Sequence, residues 1–237
     1  MNLRTLIMIL IILLPGLPEL CAQEAHVNAF LAECERKYGK DADLMNGEKY
    51  FYPYGGASGD PFFFTEPRSA IITIHEKQFE DQQLRYDIYQ QKLILDYINI
   101  YGATSSLVLR NEWLDEFAFE KHLFRRMEGP EGQLVFFQVV TDGPITCVYH
   151  WSKNYSLNLS SGVQNHYFTD PTKESYLIID GQFHMYRSNG NFTKTFDQEI
   201  QKAIKQFMRQ TKIKVKNASD SQMRHLVEYC NSLSHED

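Results

Sequence analysis

Short runs of β-branched and aromatic residues, separated by turn-forming residues, fill the middle of the chain from Ser69 to Arg187. Such runs are typical of antiparallel strands. The predicted strands, in chain order, are Ala70 to His75, Leu84 to Gln90, Lys92 to Tyr97, Ser106 to Leu109, Gln133 to Val140, Ile145 to Trp151, Tyr176 to Ile179 and Gln182 to Tyr186. Residues 50–187 are therefore predicted to be mostly strand.

Turn-forming residues divide these runs. Asp142-Gly143 and Asp180-Gly181 each lie between two predicted strands, and Asp-Gly favours the positive backbone angles of a hairpin turn. Asn46-Gly47 predicts another tight turn, and the glycine-rich segment Gly55 to Pro61 predicts a loop. In the segment Asn111 to Arg126, Trp113, Phe117 and Phe124 could line a helix. Phe117, Phe119 and His122 to Phe124 resemble the alternation of a strand, and we favour strand.

Helical spacing of apolar residues is found near both ends of the chain. The first stripe consists of Val27, Phe30, Leu31 and Cys34, which predicts a helix within residues 23–45. A second stripe runs from Phe196 to Met208, and the spacing of Ser219 and Gln222 is that of a capping box at the start of another helix. Two C-terminal helices are thus predicted within residues 193–234.

Together these elements predict an α+β protein. We expect a central antiparallel sheet of roughly eight or more strands, with an N-terminal helix and two C-terminal helices packed on or beside it. Residues 23–237 are long enough to bury one core, so they are predicted to form a single domain.

The first 22 residues have the pattern of a signal peptide. Arg4 supplies the positive start, Leu6 to Leu14 form an apolar run, and Pro15 ends it before the small residues near Ala22. The apolar run is too short to span a bilayer, so cleavage would leave no transmembrane segment. Lipidation of Cys21 is not favoured, because large and charged residues precede it. We expect an exported protein, periplasmic or secreted.

Composition and charge narrow the classes of partner. The formal net charge is −6, which gives the protein no electrostatic reason to bind nucleic acid or anionic lipid. An envelope protein or a small ligand remains as the expected partner. Aromatic residues make up 14% of the chain, enough for a packed core or for a sticky surface.

Three cysteines follow the signal peptide, and an oxidising compartment would allow two of them to pair. A disulfide between Cys34 and Cys230 would join the two helical ends of the chain. The alternative is that Cys34, Cys147 and Cys230 are all buried thiols.

Motifs for metal and nucleophile chemistry are missing from the sequence. The eight histidines are scattered, without an HExxH pair, a CxxC pair or an acidic calcium loop. Gly56-Ala57-Ser58-Gly59 lacks the spacing of a nucleophile elbow. The sequence therefore predicts no metal site and no cofactor.

Asp87 and Asp96 are the candidate catalytic carboxylates, because each lies among apolar and aromatic residues on neighbouring predicted strands joined through Gln90-Gln91. If they face one another, one pKa would rise and the pair would mark a hydrolase site. The alternative is structural: Asp87 accepts hydrogen bonds from neighbouring backbone or tyrosine groups, and Asp96 points to water.

An aromatic run surrounds the glycine-rich loop. Its candidate binding residues are Tyr50, Tyr52, Tyr54 and Phe62. Exposed tyrosines can stack on sugars or fill the pocket of a partner. The alternative is that they are core residues, which fill the gap between a sheet and its helices.

Residue patterns along most of the chain resemble a family of uncharacterised exported proteins of Bacteroidota. The motifs that carry the resemblance are Asn46-Gly47-Glu48, Tyr50, Tyr52-Pro53-Tyr54, Gly59, Pro61-Phe62-Phe63, Leu84, Tyr86-Asp87-Ile88-Tyr89, Leu93-Ile94, Tyr176-Leu177 and Tyr186. The segment Gly129 to Gly132 and His150 depart from the family pattern. The resemblance implies export and this layout, and implies no activity, ligand or catalytic residue.

Three functions follow as hypotheses. The first is a non-catalytic envelope or secreted interaction protein that uses the aromatic run. The second is an extracytoplasmic hydrolase that uses carboxylates, and the third is a carrier that holds a small ligand between the sheet and the helices.

Overall fold

A computed structural model describes residues 40–158 and 165–233. These residues form thirteen strands and three α-helices. The strands are β1 (Glu48–Lys49), β2 (Arg68–Ile74), β3 (Lys77–Asp87), β4 (Lys92–Ile98), β5 (Thr104–Val108), β6 (Leu114–Phe119), β7 (His122–Glu128), β8 (Leu134–Thr141), β9 (Ile145–Ser152), β10 (Tyr155–Asn158), β11 (Asn165–Phe168), β12 (Thr172–Ile179) and β13 (Gln182–Met185). The helices are α1 (Asn189–Lys194), α2 (Gln198–Gln210) and α3 (Asp220–Leu233).

The predicted α+β class is confirmed, with the described helices at the C-terminal end. The predicted helix within residues 23–45 lies outside the described residues except for 40–45. Those six residues form a turn, in which the backbone N–H of Met45 donates to the carbonyl oxygen of Asp41 at 3.0 Å.

Eleven of the described strands form one antiparallel sheet, as the prediction of eight or more strands requires. Their order is β1-β5-β4-β3-β2-β6-β7-β8-β9-β12-β13. The remaining two, β10 and β11, form a separate hairpin. Most neighbours in the sheet are also neighbours in the chain, so short turns connect them.

The hairpin turn at Asp180-Gly181 is confirmed. Ile179 pairs with Gln182, and the two residues between them have φ angles of 52° and 74°, as a type I′ turn requires. Asp142-Gly143 also connects two paired strands, but the last pair is Thr141 with Cys147, so that connection is longer.

Of two further sequence predictions, the structure confirms one and contradicts the other. The segment Asn111 to Arg126 is mostly strand, as we favoured. A short 3₁₀ helix, Asn111–Trp113, is followed by β6 and β7. Asn46-Gly47 does not form a hairpin turn. Instead, Oδ1 of Asn46 accepts from the N–H of Arg110 at 3.0 Å, and the chain continues into β1 beside β5.

The sheet is strongly curved. The rings of Tyr86 on β3 and Phe136 on β8 lie 5.9 Å apart although three strands separate them. Phe117 packs against both, and Phe124 packs against Tyr86 and Phe117. Bulges in β2 and β8 interrupt the register and increase the local twist. One sheet can therefore enclose an aromatic core by curling around it.

The helices cover the other end of the sheet. Leu226 and Val227 of α3 are fully buried in a core shared with Cys147 and Leu177. The predicted capping box is present: the N–H of Ser219 donates to Oε1 of Gln222 at 3.0 Å, and the N–H of Gln222 donates to Oγ of Ser219 at 3.3 Å. The short helix α1 was not predicted. Within the described residues, no helix has the length and apolarity of a membrane span.

Candidate binding surface

Asp87 ends β3 and is 1% exposed. Its Oδ1 accepts from the backbone N–H of Tyr89 at 2.9 Å and of Gln90 at 2.7 Å, so it holds the turn into β4. Burial raises the pKa of this carboxyl, and the two turn hydrogen bonds oppose the rise. The hydrogen bonds to neighbouring backbone that the structural alternative expects are thus present.

Asp96 lies on β4 in a two-pronged ion pair with Arg85. The Nε and Nη2 of Arg85 donate to its two carboxylate oxygens at 2.8 Å each, and Ser106 also donates to it. The side chains of Arg85 and Asp96 are only 17% and 8% exposed. The expectation that Asp96 points to water is therefore wrong, because the largely buried Arg85 on the neighbouring strand donates hydrogen bonds to both of its carboxylate oxygens.

Asp87 and Asp96 do not face one another. Asp87 pairs with Lys92 and Asp96 pairs with Gln83, because the turn occupies residues 88–91 rather than Gln90-Gln91 alone. Both carboxylates already serve internal partners. The geometry therefore provides no acid–base pair at the positions that sequence suggested.

Tyr50 and Phe62 flank the guanidinium of Arg85. The ring centroids lie 5.7 Å and 4.9 Å from its Cζ, and Phe62 is 4% exposed. The hydroxyl of Tyr50 is buried without a hydrogen-bond partner, and burial raises its pKa, with the nearby Asp87 as a second cause. Both rings pack on the guanidinium of the ion pair, and Phe62 is buried whereas Tyr50 is half-buried.

Tyr54 is the centre of a second group of rings. Its centroid lies 5.5 Å from that of Tyr52, 5.9 Å from Tyr89, 5.3 Å from Tyr155 and 4.9 Å from Phe168. Tyr54 itself is buried, and its hydroxyl accepts a hydrogen bond from the side chain of Gln90. It therefore acts as the base of the group.

The outer members of this group reach solvent. Tyr52 and Tyr89 are 43% and 40% exposed. Tyr155 is half-buried and stacks on the exposed ring of His166 at 5.0 Å with an interplanar angle of 6°. We call Tyr52, Tyr89, Tyr155 and His166 the aromatic surface.

The hairpin β10–β11 supplies half of this surface and was missed by the sequence analysis. Tyr155 pairs with Phe168 and Leu157 pairs with His166, so the four side chains lie on one face of the hairpin. The alternation of apolar and polar residues in β10 was the available signal.

A polar contact between Lys153 and Asp60 lies beside the aromatic surface. Nζ of Lys153 donates to the carbonyl oxygen of Asp60 at 2.8 Å and lies 3.3 Å from its Oδ1. This contact fixes the chain just before β10 against the glycine-rich loop that follows Tyr54. Burial, with the charge of Asp60 as a second cause, raises the pKa of Tyr52, so its hydroxyl is a donor at neutral pH.

The cysteines that the structure describes are buried. Cys147 is a free thiol whose Sγ lies 3.3 Å from the hydroxyl of Tyr186, and burial raises its pKa to about 12. Cys230 is buried in α3, where burial raises its pKa to about 12. Cys34 lies outside the described residues, so the Cys34–Cys230 disulfide stays a prediction.

Other kinds of site receive little support from the geometry. Residues 40–158 and 165–233 contain no group of three or more histidine, cysteine or acidic side chains placed to hold a metal ion. An open depression of about 570 Å³ lies where β2 meets β6, lined by Arg68, Asp81 and Glu120 among others. Its open, mixed-charge lining does not resemble an enclosed ligand cavity.

No protein-family model, curated protein or solved structure matches this chain. The resemblance to exported proteins of Bacteroidota therefore stays an expectation.

Proposed function

We propose that this chain is an exported, non-catalytic interaction protein of the bacterial envelope, and that it binds a protein partner through the aromatic surface. The observation that carries the proposal is the group of solvent-exposed rings held in place by the buried Tyr54. Tyrosine rings offer a large contact area with few rotatable bonds, which is why they are enriched at binding surfaces.

The packing beneath the rings supports this proposal. Tyr54 and Phe168 are buried and contact Tyr89 and Tyr155 from below, at centroid distances of 4.9 to 5.9 Å. Side chains held in this way lose little further freedom on binding, which lowers the entropic cost of association. The hydroxyl groups at the edge can donate hydrogen bonds to a partner.

Export is supported by the signal-peptide pattern of residues 1–22, with Arg4 ahead of the apolar run from Leu6 to Leu14. The negative net charge supports a partner that is not nucleic acid.

A hydrolase that uses carboxylates is the second candidate, and the raised pKa of Asp87 is the observation in its favour. Its weakness is access, since Asp87 is almost completely buried and holds a turn. A small-ligand carrier is the third candidate.

A pull-down from the native envelope in mild detergent tests the first proposal. We expect the Tyr52→Ala/Tyr89→Ala double variant to capture about one tenth, or less, of the partner that the parent protein captures. The reason is that exposed aromatic residues dominate interface energies. Leu134→Ala is the matched control, since it also removes an exposed apolar side chain, outside the aromatic surface.

Mass spectrometry of the captured proteins and small molecules separates the three candidates. Partner capture that is equal in the double variant and the control would contradict the proposed surface. A protein recovered alone with a small molecule would favour the carrier. A protein recovered alone and empty would direct attention to hydrolase assays with Asp87→Asn.

A further inference from the structure

The turn between β4 and β5 presents three apolar side chains to solvent. Ile98, Ile100 and Tyr101 are 62%, 87% and 87% exposed. Ile98 pairs with Thr104, so the turn is held by the two strands at its base. Single exposed apolar residues are ordinary, but three within four positions form a local apolar tip.

The backbone of this tip is largely satisfied from within. Oδ1 of Asn99 accepts from the N–H groups of Tyr101 at 2.9 Å and Ala103 at 3.1 Å. The carbonyl oxygen of Asn99 accepts from Gly102 at 2.9 Å, and its N–H donates to Ala103 at 2.9 Å. Four of the five backbone N–H groups of residues 99–103 thus have a partner within the turn, which lowers the cost of moving the tip out of water into lipid.

Charge also distinguishes the tip from its surroundings. The ten residues from Tyr97 to Ser106 carry no charged side chain. The hairpin of β2 and β3 turns at the same end of the sheet as the β4–β5 turn, and it carries three carboxylates, Glu76, Glu80 and Asp81, against one lysine, Lys77. An anionic surface would be repelled by these carboxylates, whereas an electrically neutral one would not.

We propose that the β4–β5 turn inserts into the interfacial region of a neutral, zwitterionic phospholipid surface. Ile98 and Ile100 enter the acyl boundary, and Tyr101 keeps its hydroxyl among the headgroups, where tyrosine is favoured. The proposal uses residues other than those of the aromatic surface, so either can fail without the other.

Tryptophan placed at the tip reports insertion directly. The full chain carrying Tyr101→Trp is mixed with phosphatidylcholine vesicles, and Leu134→Trp serves as the matched control at another exposed apolar position. We expect a blue shift and quenching by brominated lipid for Tyr101→Trp after subtraction of the parent spectrum, and neither for Leu134→Trp. Equal spectra for the two variants would overturn the proposal.

Vesicle co-sedimentation tests the energetic contribution. Ile100→Asp should reduce the bound fraction at limiting lipid by at least about tenfold, because it places a charge where the apolar side chain of Ile100 would enter the lipid. Leu134→Asp carries the same charge change and should bind like the parent. Both variants keep the same N-terminal residues, so any lipid binding by those residues is equal in the two. Both sites are exposed, and circular dichroism checks that both variants fold.

Two results would contradict the lipid assignment. One is binding that requires phosphatidylserine and disappears with phosphatidylcholine alone. The other is equal lipid binding by Ile100→Asp and Leu134→Asp together with loss of a protein partner in Ile100→Asp, which would make the tip a protein contact.

Discussion

At the scale of single residues, Asp87 and Asp96 show two ways of compensating a buried carboxylate. Asp87 receives two backbone N–H groups from its own turn, whereas Asp96 receives both prongs of Arg85 from the neighbouring strand. A buried charge without such partners would be costly. Each arrangement predicts a different response to substitution.

Asp87→Asn should be tolerated, because an amide oxygen can still accept from Tyr89 and Gln90. We expect its free energy of unfolding at pH 7 to equal or exceed that of the parent. Asp87→Ala leaves the two N–H groups without an acceptor and should lower that free energy by about 2 kcal/mol. Urea denaturation measures both, and equal losses in the two variants would show that the turn does not depend on this acceptor.

The pKa of Asp87 adds a pH dependence. Because its pKa in the folded chain is raised above the ordinary value of 3.8, the folded chain binds the proton more tightly than the unfolded chain. The resulting stabilisation is present at acid pH and is lost as pH rises from 3.8 through the raised pKa. The stability of the parent should therefore fall relative to Asp87→Asn over that window; a constant difference would refute the shift.

The ion pair of Arg85 and Asp96 predicts a large effect. Arg85→Ala leaves Asp96 buried without its main partner and should cost about 3 kcal/mol in free energy of unfolding. Arg68→Ala is the control: its ion pair with Glu120 spans 3.6 Å with side chains 48% and 72% exposed, so it should cost less than about 1 kcal/mol. Similar losses in thermal or urea unfolding would mean that burial of the first pair has no consequence.

The sequence could locate these residues but not their partners. Asp87 and Asp96 stood out because apolar residues surround them, yet their pairing depends on a turn of four residues instead of two. Register is set by the turn that closes a hairpin, and a change in turn length moves every opposite residue. The same limit applies to Tyr54 and Phe62, whose burial depends on strands distant in the chain.

At the scale of elements, local chemistry was the better guide. Asp180-Gly181 and the Ser219–Gln222 capping box are formed as predicted, because their geometry depends on residues within the motif. Asn46-Gly47 has the composition of a turn but a different role. Its surroundings explain the glycine: a Cβ at Gly47 would lie 1.9 Å from the carbonyl oxygen of Val108.

Gly47→Ala should therefore push β1 away from β5. We expect a loss of about 1 to 3 kcal/mol in free energy of unfolding, the usual range for overpacking. Gly55→Ala is the matched control, because a Cβ there meets nothing within 4 Å. If both variants unfold at the same denaturant concentration, the close approach at Gly47 does not constrain the sheet.

At the scale of the whole molecule, the antiparallel sheet and the C-terminal helices were predictable from periodicity, and the curvature was not. Alternation identifies which residues are strand, but it does not say that Tyr86 and Phe136 meet across three intervening strands. The aromatic surface has the same origin, since it joins the segment before β2, the β3–β4 turn and the β10–β11 hairpin. Contacts of this kind arise only when the sheet is assembled.

The strand order also bears on how the chain reaches its native state. Eight of the pairings join strands that follow one another in the chain, and these can form early because the loops they close are short. Three other pairings join strands that are not consecutive, namely β1 with β5, β2 with β6 and β9 with β12. That of β2 with β6 lies in the middle of the sheet, and it brings Ile74 beside Leu114 after β3, β4 and β5 have been placed. Folding speed should therefore depend less on the size of the sheet than on how soon that single junction joins its two halves.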